Sequence, residues 1–95
     1  MTIRADVLEA ASPFLEEVVR RARPARFLGE EVLLASCEDL VLMKLGAGRA
    51  IDRADAVELL RANALSLDAA YLKAQSSALG LSAELAACEQ EARTP

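Results

Sequence analysis

Residues 38–55 read EDLVLMKLGAGRAIDRAD, and most of the chemistry this chain can offer is gathered there. Leu40, Val41, Leu42, Met43 and Leu45 cover most of the circumference of a helix, the mark of a helix enclosed on nearly all sides. Lys44 stands in the middle of that apolar run, and Arg49, Asp52 and Asp55 follow at three-residue spacing. An enclosed lysine needs a partner for its ammonium group or an opening to reach. Either its alkyl stem packs while the charge snorkels to water, or the ammonium lines a phosphate pocket. The three residues that follow also have a structural account. Asp52 caps a helix, Asp55 sits in its first turn where a carboxylate is favoured, and Arg49 closes an ion pair across the turn.

Few other residues compete for a chemical role. Asp6 falls on a predicted strand, where aspartate is depleted, so it is either a solvent-facing edge residue or a metal ligand. Cys37 lies at a predicted helix start, a place that lowers a thiol's pKa. No base neighbours it in sequence, and a packing role is the simpler one; Cys88 reads as a small apolar residue on the last helix. The chain has no histidine, which removes Ser-His and Cys-His nucleophile pairs and histidine-based zinc sites together. Its two cysteines make no disulfide scaffold and point to a reducing cytoplasm. The net charge of -4 gives nucleic-acid binding no general support. The arginine-rich RRARPAR, residues 20–26, reads as a solvated helix end complementing the helix dipole. Neither a membrane span nor a signal peptide is expected.

The elements that must position these residues follow from punctuation and periodicity. The 95 residues should form a single domain of α+β class, strand-rich at the front and helical behind. A strand is expected near residues 2–10, then a helix opened by Ser12 as N-cap and Pro13 at the first helical position. Phe14, Leu15, Val18, Val19 and Ala22 form its stripe, and Pro24 should stop it. A hairpin near 25–35 should turn at Gly29 and Glu30. Ser36 then caps the enclosed helix with Asp39 three residues on, and Gly48 ends it. Asp52 should cap a helix over 53–62 whose inner face is Ala56, Val57, Leu59 and Leu60. Asp68 caps another to about Leu79, stapled by Leu67 and Leu72 and ended by Gly80. A short last helix with a frayed acidic tail brings the number to about five. Twenty alanines and sixteen leucines, with only Phe14, Phe27 and Tyr71 as aromatics, suggest a thin core that a partner surface completes.

From about residue 3 to residue 85 the chain resembles the C-terminal half of a small bacterial nucleotidyltransferase-fold protein. The superfamily is the DNA-polymerase-β-like one, in the branch holding abortive-infection and related toxin nucleotidyltransferases. The family pattern is a strand bearing an Asp, a helix, a hairpin, an ED-L-hydrophobic-hydrophobic-K-L-x-A helix and an R-x-x-D-x-x-D turn. It falls here on Asp6, Glu38, Asp39, Lys44, Leu45, Ala47, Arg49, Asp52 and Asp55. The resemblance implies that Lys44 and Arg49 face nucleotide phosphates, that Asp52 forms the site beside them, and that Asp6 is a metal ligand. Members that transfer nucleotides also carry a Gly-Ser turn and a paired D-x-D, and this sequence has neither. Two-metal phosphoryl chemistry needs several carboxylates to hold ions about 3.5–4 Å apart.

The resulting expectation is a truncated nucleotidyltransferase-like domain over residues 1–95, kept as a non-catalytic binding or assembly module. A homodimer, or a protein partner covering an exposed sheet edge, should accompany it. A second reading makes the chain half of a split or mis-started transferase completed by an upstream segment. Asp6, Lys44 and Asp52 would then be catalytic, with Mg2+ and a nucleoside triphosphate as cofactor and substrate. A third reading is an antitoxin-like regulatory partner.

Overall fold

The computed structural model describes residues 2–3 and 13–94, and these form an α+β protein with strands first and five helices. Strand β1 is Thr2–Ile3. The remainder of the expected first strand, with Asp6 and the expected Ser12 cap, lies outside the described residues. Helix α1, Pro13–Arg21, starts at the proline as expected, because a fixed φ suits the first helical position and a missing N–H costs nothing there. Its innermost residue is Val18, with Phe14, Leu15 and Val19 half-buried around it.

The helix stops at Arg21, three residues before Pro24, as expected of that proline. Pro24 is the second residue of β2, Arg23–Phe27, which pairs antiparallel with β3, Glu30–Leu34. The RRARPAR segment is thus divided: Arg20 and Arg21 end α1, while Arg23 and Arg26 belong to a strand. The turn is Leu28–Gly29, one residue earlier than expected, with φ of 52° and 82°. Positive φ at both loop positions is the I′ geometry that matches strand twist. With Phe27 opposite Glu30, the residues flanking this two-residue loop share ladder hydrogen bonds, so Pro24 faces the free edge, where no donor is required. β3 is the central strand of the order β1-β3-β2, with Ile3 opposite Leu33.

The chain divides after Ser36 into two compact units, residues 1–36 and 37–95. The second unit is helical. Helix α2, Cys37–Ala47, has no exposed residue between Cys37 and Leu45, in keeping with its all-round apolar sequence. Gly48 follows with φ 73°, and its N–H donates to the Lys44 carbonyl at 3.2 Å, an αL cap. Helix α3 runs Ala50–Ala62 and so begins three residues before the expected 53. Its inner face carries Ala56, Val57 and Leu60, with Leu59 half-buried. Helix α4, Ala69–Ala78, is capped by Asp68, whose carboxylate accepts the Tyr71 N–H at 3.0 Å. At its far end Leu81 N–H donates to the Ser76 carbonyl and Gly80 N–H to the Ser77 carbonyl, a Schellman motif around Gly80 at φ 72°.

Helix α5, Ser82–Arg93, is neither short nor frayed. Arg53 pairs with Glu91 at 3.3 Å, and Arg61 donates to the carbonyls of Glu91 and Thr94, so α3 grips its last turn. α3 packs against both α2 and α5, and α4 bridges those two. Leu42, Leu45, Val57, Leu60, Leu72, Leu85 and Cys88 make the apolar centre. No helix among the described residues is long and apolar enough to cross a membrane.

Candidate functional site: a charged corner between α2 and α3

Lys44 leaves α2 one turn before its end, and α3 begins after a two-residue link, so the last turn of one helix meets the first turn of the next. Four of the sequence-predicted site residues meet there in a chain of contacts, Arg49–Asp52–Lys44–Asp55. The Lys44 ammonium donates to Asp55 Oδ2 at 3.0 Å and stands 3.7 Å from Asp52 Oδ1. On the other side of Asp52, Arg49 Nε donates to Oδ2 at 2.6 Å and Nη2 to Oδ1 at 3.2 Å, a bidentate fork. Asp52 itself is 2% exposed, whereas Arg49 and Asp55 lie toward solvent.

The helix start explains the position of Asp52. Arg49 has extended dihedrals and occupies the N-cap place, which puts Asp52 at the third helical position instead of the cap. From there its carboxylate reaches back to accept the Arg49 backbone N–H at 3.3 Å. This is the acidic half of a capping box. The usual Ser or Thr half is missing, since an arginine side chain has no acceptor. The Arg49 guanidinium, chiefly through its hydrogen bonds, holds the Asp52 carboxyl below the usual carboxylate range, with Lys44 adding a smaller pull; desolvation opposes both. The same pair raises Arg49 further.

The corner therefore holds two cations and two carboxylates in mutual contact. Its chemistry is charge satisfaction. A divalent metal does not fit this donor set, because each carboxylate already faces an ammonium or guanidinium group. Among the described residues no three of His, Cys, Asp and Glu converge as a metal-holding group; Asp6, the candidate ligand, lies outside them. Ser36 stands immediately before α2. Both thiols, Cys37 and Cys88, are free, and burial pushes both pKa values up, the direction that disfavours a thiolate.

A second polar cluster was not anticipated as one. Asp39, fully buried, accepts the Tyr71 hydroxyl, and Glu38 accepts the Asp68 backbone N–H at 2.9 Å. The first turn of α2 is thereby clasped to the first turn of α4. The signal was the Glu38-Asp39 doublet heading an enclosed helix, since buried acids need donors.

No protein family, curated protein or solved structure compared with the chain matches it.

Proposed function

We propose that the chain is a non-catalytic binding or assembly module on a truncated nucleotidyltransferase-like scaffold, engaged by a protein partner at its hairpin. The observation that carries this reading is the exposure of β2 and β3. None of their ten residues is buried, and Phe27, Leu28 and Leu34 are 66%, 88% and 41% exposed. Apolar side chains left this exposed gain from an added apolar surface, although Ala25, Val32 and Leu33 are half-buried. The free edge of β2 suits a partner less than the faces do, because Pro24 offers no N–H donor there. A reducing cytoplasm suits two unpaired thiols.

The reading is tested in an extract of the native host by comparing wild type with the double variant Phe27→Ser/Leu34→Ser. Wild type should migrate as a complex and the variant as the free chain. Equal migration of the two as free chains overturns it.

One observation favours the alternative of a split metal-dependent transferase: Lys44, Arg49, Asp52 and Asp55 gather in one corner, as a nucleotide-facing site requires. On that reading phosphate takes Lys44 from Asp55. Titration with ATP, GTP, CTP and UTP in the presence of magnesium separates the two readings. Nucleotide at 100 times its dissociation constant stabilises a fold by about 2.7 kcal/mol. A shift in wild type lost in Lys44→Ala favours the transferase half; no shift favours the module.

A further inference from the structure

The helical unit has a cavity of about 290 Å³ whose floor is Leu60, Leu67 and Leu72 and whose rim is Arg61, Glu89 and Arg93. Beside it, on the link between α3 and α4, Leu65 is fully exposed at 103%. Its sequence neighbour Ala64 and, two residues on, Leu67 both line the cavity, so an exposed apolar knob lies next to a hole with an apolar floor and a charged rim. A two-fold contact requires one patch carrying both halves of the match, since each copy uses the same surface. Here knob and hole adjoin, and the rim carries both charge signs, so the arginines of one copy can meet Glu89 of the other. Arg61 is held by Glu58 and by the Glu91 and Thr94 carbonyls, and Arg93 by Gln90, so the rim is set in place by contacts within the unit.

We propose that two copies of this chain dimerise through their helical units, each Leu65 seated in the other copy's cavity. This rests on the reading of the chain as an assembly module; it adds a second, homotypic surface to the hairpin.

Sedimentation velocity over a wide concentration range tests it on the purified full chain. Wild type should be a dimer at high concentration. Leu65→Ser removes both knobs at once and should raise the dimer dissociation constant on the order of 100-fold. Ala92→Leu, which fills the cavity, should do the same. Far-UV circular dichroism should be unchanged for Leu65→Ser, because the side chain it replaces touches nothing in the free chain. A wild type that stays monomeric throughout overturns the proposal and leaves the hairpin reading standing. A dimer insensitive to Leu65→Ser overturns it as well, and if Phe27→Ser/Leu34→Ser then dissolves that dimer, self-association belongs to the hairpin.

Discussion

A buried carboxylate is costly unless its charge is met, and Asp52 is met from two sides, by Lys44 at the end of α2 and Arg49 at the start of α3. This answers why an apolar helix carries a lysine: its ammonium has partners one helix away. It also fixes a pH dependence. A carboxyl whose folded pKa is depressed contributes stability that is complete above its unfolded value and disappears as pH falls through the folded one. As far as this group is concerned, the melting midpoint should be flat from pH 7 to about pH 5 and fall below about pH 4. Asp52→Asn keeps the shape and removes the charge. It should lower the midpoint at pH 7 by on the order of 5 °C and flatten the acid limb, both read by circular dichroism. An unchanged acid limb in that variant would remove the ion pairs from the account.

At the scale of elements, two junctions deserve separate tests because their physics differs. Leu28 has φ 52° in a two-residue turn, a conformation that costs a branched residue about 1 kcal/mol or more and costs asparagine little. Leu28→Asn should therefore stabilise the chain by up to about 1 kcal/mol in urea unfolding, while also removing an exposed apolar side chain. The clasp between α2 and α4 behaves oppositely. Tyr71→Phe leaves buried Asp39 short of a donor and should cost about 1–3 kcal/mol. These junctions also show what a sequence displays and what it conceals. Pro13, Gly48, Asp68 and Gly80 act within a few residues of themselves, so their helix ends were readable. Asp52 was misplaced by three positions because an aspartate before an apolar helix looks alike at the cap and at the third position. The Leu-Gly turn lacks the Asn or Asp that advertises a hairpin. Tyr71 and Asp39 are 32 residues apart, a pairing that only the folded chain produces.

For the whole molecule, the distribution of burial decides which part carries the fold. Among the described residues, nine of the eleven buried apolar side chains lie in 37–95; Val18 and Ala35 are the other two. The hydrogen bonds described above for the charged corner and for the α2–α4 clasp also lie within that span. A unit of this size is near the lower limit for folding alone, yet it holds its own core and its own polar partners. The fragment 37–95 should thus give a helical spectrum with a cooperative, if lowered, thermal transition. The fragment 1–36, with two buried apolar side chains among its described residues, should give neither. Because Lys44, Asp52, Asp55 and Arg49 all belong to 37–95, the fragment should also keep the acid limb assigned to Asp52, and Asp52→Asn should flatten it there too. Loss of helicity in 37–95 would mean that residues 1–36 supply part of what holds the helices together.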